Sequence, residues 1–163
     1  MDRDELIFQV GYSARLERMT STLLGRIDRG TSFAQLFLGA SIFANVPNWL
    51  QYLIATLLCA ITVFVIVYQP AVKQMLAAAQ RDAYDCLLAK SRSLSEEEIA
   101  EQLGTIQKQD SAVLGALCNP AHLGECIRLD REPNVTLNWH ERLVAWLAGD
   151  LPRIPTSRQA ASD

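Results

Sequence analysis

The chain lacks the marks of an enzyme, a nucleic-acid module and a secreted protein. No phosphate-binding glycine loop, H-E-x-x-H or G-x-S-x-G occurs. The only two histidines, His122 and His140, stand in no pattern that positions a nucleophile. A hydrolase or transferase needs a convergent polar site; none assembles, so no catalysis and no cofactor are expected. Basic excess is missing too. A net charge of −3 argues against direct nucleic-acid binding. The first thirty residues carry Asp2, Arg3, Asp4 and Glu5 but not the short apolar core of a leader peptide. The N-terminus is therefore expected in the cytoplasm, and the four scattered cysteines are expected to stay reduced.

The most informative absence is of charge. Positions 33–68 hold no Asp, Glu, Lys or Arg, so all 15 basic and 18 acidic residues lie elsewhere. A bilayer imposes this segregation, because a charge at its centre costs roughly 2.5–3.5 kcal/mol on insertion scales. Residues 31–46 predict a first span of roughly 24 Å, short for a hydrocarbon core of about 30 Å. Asn45-Val46-Pro47-Asn48 then reads as a turn. Trp49 to Tyr68 gives a second span of roughly 30 Å, with Trp49 and Tyr52 anchoring one interface and Tyr68 the other. Basic residues flank the pair and are missing from the turn: Arg26 and Arg29 precede it, and Lys73 and Arg81 follow. The positive-inside bias places both termini in the cytoplasm, at the inner membrane.

Outside the spans the periodicity is helical. Residues 3–29 form an amphipathic segment with Leu16, Met19, Leu23 and Ile27 at helical spacing, despite Gly11 and Gly25. Pairing with another helix of the chain is favoured for it over a membrane-surface role. Pro70 either kinks the second span's helix or opens a new one. Beyond it Val72, Leu76, Ala79, Ala83 and Cys86 form a short coiled-coil-like seam, whose expected partner is the 3–29 helix running antiparallel. Ser91 to Leu94 form a break. Ser95 and Glu98 supply a capping box for a helix whose apolar face (Ile99, Leu103, Ile106, Val113, Leu114) extends to about Leu117. The Glu96–Glu98 run is thus a helix-start signal rather than a metal site. A short helix is expected over Pro120–Leu129, completing a helical region at 70–130. After an interruption at Pro133, Asn138 and Glu141 cap a last helix within 136–149, ended by Gly149. Trp139, Leu143 and Trp146 line one side of it; core packing is favoured, and resting on a membrane is the alternative. Residues 152–163 read as a disordered tail. The fold class expected is an all-α membrane protein: a two-transmembrane helical hairpin with long cytoplasmic helices packed as an antiparallel bundle.

Two clusters bear on chemistry. Cys118, His122 and Cys126 recur every four residues, but a zinc site wants a fourth ligand. Cys86 could supply it only from a packed neighbour, and Pro120 and Gly124 interrupt the alignment. The thiols are expected as small core groups and no metal is expected. Within the spans, Gln51, Ala55, Cys59 and Thr62 share one face, as do Ser32, Gln35 and Gly39. Small and polar residues hold membrane helices together, and packing is favoured over a water path. Two spans enclose a pore only as oligomers. Leucine at Gln51 and Thr62 would separate the two roles.

The layout resembles the SLATT family of bacterial two-transmembrane effectors of conflict and antiviral systems. The likeness rests on Tyr12-Ser13-Ala14-Arg15-x-x-Arg18, Arg26-x-x-Arg29 and Gly39-Ala40-Ser41, then on Arg81-x-x-Tyr84-x-x-x-Leu88, the Ser95-Glu96-Glu97-Glu98 helix and Leu117-Cys118-Asn119. It covers about residues 5–130 and leaves the last helix outside. The resemblance implies a homo-oligomer that permeabilises the membrane when triggered by a nucleotide-signalling or reverse-transcriptase partner. It transfers no site residue. Two other classes share the hairpin. A phage holin-like or exclusion protein would seldom need so much chain after the membrane, and an accessory subunit of a membrane complex would use the cytoplasmic helices to dock its partner.

Overall fold

A computed structural model describes residues 2–41, 47–108, 113–132 and 135–153. Its helices are α1 (Arg3–Ser41), α2 (Asn48–Tyr68), α3 (Pro70–Lys90), α4 (Glu96–Gln107), α5 (Cys118–Arg128) and α6 (Trp139–Leu147), with a 3₁₀ turn at Gly115–Leu117 before α5. Among the described residues there is no strand. Among the described residues one helical run, Asn48–Lys90, is long and apolar enough to cross a bilayer. Within α2 only Ile54 is buried by the protein itself. A core helix of that composition would be covered.

The expected boundary between an N-terminal helix and a first span does not exist. α1 is one helix of 39 residues, roughly 58 Å long. Gly30 costs it only about 1 kcal/mol. The Thr31 hydroxyl donates to the Ile27 and Asp28 carbonyls across the same turn. Of the expected turn, Pro47 and Asn48 are described, and they open α2; residues 42–46 lie outside the described residues, as do Pro133 and residues 154–163 of the expected tail. Between α2 and α3 stands a single residue, Gln69, in left-handed backbone (φ 50°, ψ 57°). Pro70 has no N–H to continue the ladder, and it occupies the first turn of α3.

α1 runs antiparallel to α2 and α3. Leu6, Val10 and Ala14 share a core with Tyr84 and Leu87 of α3 and Ile99 and Leu103 of α4. Nearer the uncharged end, Gly25 abuts the Gln74 amide, and beyond it Gln35 reaches Thr62. The α3 row that does the packing is not the expected one. Pro70, Ala77, Gln80, Tyr84 and Leu87 are buried, whereas Val72 and Leu76 are more than half exposed and Cys86 is exposed. Both rows have three–four spacing; the one holding Tyr84 and Leu87 removes more apolar surface from water. The Leu16–Met19–Leu23 row of α1 is buried as its spacing suggests, with Leu117, Ala121, Ala145 and Ala148 as partners. α1 therefore packs on two faces.

Three further expectations change. α4 stops at Gln107 and does not reach Leu117: Asp110 stands where the 99–103–106 stripe would continue, and Leu114 is extended (ψ 112°). Pro120 and Gly124 do not interrupt α5, since Pro120 lies in its first turn, where a missing N–H costs nothing. In α6 the residues that pack are Ala145 and the following Ala148, while Trp139, Leu143 and Trp146 face outward. Small side chains let α6 sit close on α1, and the large ones are left on the far side.

Candidate functional site

Where the uncharged part of α1 meets α2, one polar pair crosses the seam. The Gln35 Nε2 donates to the Thr62 hydroxyl at 3.0 Å, and that hydroxyl donates to the Leu58 carbonyl at 2.8 Å. An unpaired amide in an apolar setting would be costly, so the bond fixes how the two helices meet. Gln51 is half-buried on the same seam and Gly39 is half-buried on α1, but Ser32, Ala55 and Cys59 are exposed. On α2 the seam runs Gln51, Ile54, Leu58, Thr62, Val65. It shares Gln51 and Thr62 with the expected row and takes the larger Ile54 and Leu58 between them. At Gly39 an added Cβ would meet nothing within 4 Å. The close approaches occur lower on α1, at Gly25 and at Gly11, where a Cβ would overlap the Glu125 carboxylate.

The four basic residues expected to set topology are all engaged. Arg26 donates to the last carbonyls of α6, Trp146 at 3.3 Å and Leu147 at 2.6 Å. Arg29 Nε donates to the Gly25 carbonyl at 3.0 Å. The Lys73 ammonium lies 3.6 Å over the Tyr68 ring, and Arg81 pairs with Asp82 at 2.6 Å. Because Gly25 meets Gln74, Arg26 and Lys73 stand at one height just outside the uncharged segment.

Below them lies a cavity of about 470 Å³ that sequence reading missed. Arg15, Arg18 and Arg26 stand on one stripe of α1, at i, i+3 and i+11, and that spacing is the signal that could have found it. Three ion pairs line it: Arg15–Asp150 at 2.6 Å, Arg18–Asp85 at 3.2 Å and Arg128–Glu125 at 2.6 Å. The Glu125 hydrogen bonds also push the Arg128 guanidinium above its ordinary value. The first two pairs fasten the segment after α6 and α3 to α1, and the third lies within α5.

The thiol–imidazole cluster is a packing unit. His122 is flanked edge-on by Phe8 and Tyr12, with ring centroids 5.3 and 6.2 Å away. Cys126 Sγ lies 3.6 Å from its Nδ1. Burial pushes the Cys126 thiol up, Arg131 opposes this and Glu125 adds to it. Burial, helped by Cys118, pushes the Tyr12 phenol up to about 12. Cys86 is exposed on α3. Among the described residues no three His, Cys, Asp or Glu side chains converge as a metal site.

Compared with known proteins, the chain matches no family model, no curated protein and no solved structure. Its functional reading therefore rests on its own residues.

Proposed function

We propose that the protein is a non-enzymatic membrane effector: a two-span hairpin that self-associates and perturbs the inner membrane when its cytoplasmic helices receive a signal. Both termini lie on the cytoplasmic side. The SLATT-like layout points to a bacterial defence or conflict system, with a nucleotide-signalling or reverse-transcriptase module as the triggering partner. The observation that carries this reading is the bare second helix. α2 has no charge, and the chain covers little of it, so something outside the chain must, and lipid together with further copies is the occupant such a surface fits. The Gln35–Thr62 bond supports the packing role of the polar residues, because it is satisfied within one chain. A conducting path would require several copies.

Strong expression in a bacterial host should arrest growth and depolarise the membrane, read with a potential-sensitive dye alongside the amount of protein in the membrane fraction. Abundant membrane-inserted protein with growth and potential intact, the triggering partner being co-expressed, would remove the effector reading.

A further inference from the structure

α6 hides its alanines and displays its largest side chains. Trp139 is 78%, Leu143 48% and Trp146 62% exposed, and their i, i+4, i+7 spacing puts them on one face. Arg142 and His140 are exposed beside them. The helix's one carboxylate, Glu141, is buried, where it accepts from Asn119 at 2.7 Å and from the Asn138 backbone at 2.8 Å.

We infer that this face of α6 lies on the bilayer, with its indoles at the boundary between headgroups and acyl chains on the side from which α1 enters. The inference rests on the two-span reading above. Three observations select lipid as the occupant. First, α6 is tied to the foot of the span. Arg26 holds its final carbonyls, and Arg26 stands roughly 6 Å of helix rise before the charge-free run begins at Gly30, about the depth of a headgroup layer. Ile27, one residue nearer, packs on the cluster that holds Ala145 and Ala148. Second, the chemistry matches: tryptophan is the residue of membrane interfaces, and Arg142, with no exposed acid on the helix, complements anionic headgroups. Third, two tryptophans and a leucine offer roughly 500 Å², short of the about 800 Å² per partner of a stable protein interface. α6 is then an interfacial brace whose seating on lipid is passed to α1 through the Arg26 contacts.

The test uses the full chain in phosphatidylcholine–phosphatidylglycerol vesicles, with lipids brominated either near the headgroup or deep in the chain. Two single-tryptophan forms are compared: one keeps Trp146 (W49F, W139F), the other keeps Trp49 (W139F, W146F). Trp146 should emit at blue-shifted wavelength and be quenched about twofold more by shallow than by deep bromine. Trp49 should be quenched as well. A water-like, unquenched Trp146 beside a quenched Trp49 overturns the inference and leaves the spans standing. If neither is quenched, the two-span reading fails and takes the inference with it. A blue-shifted Trp146 that no brominated lipid quenches means a protein occupant, such as a second copy, and also overturns it. Because Leu143 and Trp146 are exposed, L143E with W146E in a W49F background, which leaves Trp139 as the single tryptophan, should keep full helix content yet abolish the quenching of Trp139; retained quenching counts against the proposal.

Discussion

Tyr12 shows how one side chain reports on the packing between α1 and α5. It lies against His122 and Cys118, and burial holds its phenol near 12, against an ordinary value of 10.0. The folded form therefore keeps this proton longer than the unfolded chain does. Its contribution is whole below pH 10 and drains away as pH climbs through 12. Helix content followed against denaturant should give stability that falls over this window, and Tyr12→Phe should flatten the fall; equal falls in both proteins would mean the phenol is not shielded. Gly11, one position earlier, makes the same point about legibility. In the sequence it is a modest helix penalty like Gly25. In the fold it is the space Glu125 needs, with that carboxylate held by Arg128 at 2.6 Å. Nothing near Gly11 in the chain announces a partner more than a hundred positions away.

Helix ends that carry a cap or a proline are easier to read than helix faces, because such ends are written in local chemistry. Ser95 accepts from the Glu98 backbone N–H at 3.3 Å, and Glu98 returns the bond to the Ser95 N–H at 2.8 Å, the box its spacing suggests. Those bonds hold the Glu98 carboxyl below its ordinary range, so its support is present above that range and fades as pH falls through the lowered value. Ser95→Ala should cost about 1 kcal/mol, seen as a lower thermal midpoint. An unchanged midpoint would show that α4 is held by Ile99 and Leu103 alone. Pro47, Pro70 and Gly149 also mark ends, the last with φ 77°. Faces are decided by partners instead. Two rows of α3 carry the same spacing, as do two rows of α2, and only the three-dimensional fit chooses Tyr84 over Leu76 and Ile54 over Ala55. α6 misled for a related reason: its tryptophans read as core, yet close helix contact went to alanine. The polar seam was half legible, since Gln35 and Thr62 do meet, while Ser32, Ala55 and Cys59 lie outside it.

At the scale of the molecule, the shape is a helical bundle with a bare two-helix extension, and two cysteines sample its two ends. Cys59 on α2 and Cys86 on α3 are both exposed by the protein's own surface. In water they would react alike with a charged maleimide, since neither is covered. In a membrane they would not. Cys59 sits among Leu57, Leu58 and Ile61 near the middle of α2, where hydrocarbon would exclude the charged reagent. Cys86 lies four turns beyond Pro70, among Asp82, Asp85 and Lys90, in what would be aqueous solution. Labelling membranes with an impermeant maleimide, followed by mass mapping, should therefore modify Cys86 and spare Cys59, and denaturing detergent should release Cys59. Vesicle polarity adds the orientation: Cys86 should react in inverted vesicles and stay silent in sealed right-side-out ones. Equal labelling of both thiols in intact membranes would show that α2 is wetted along its length. The hairpin, the effector and the interfacial α6 would then fall together, because each depends on lipid covering what the chain leaves bare.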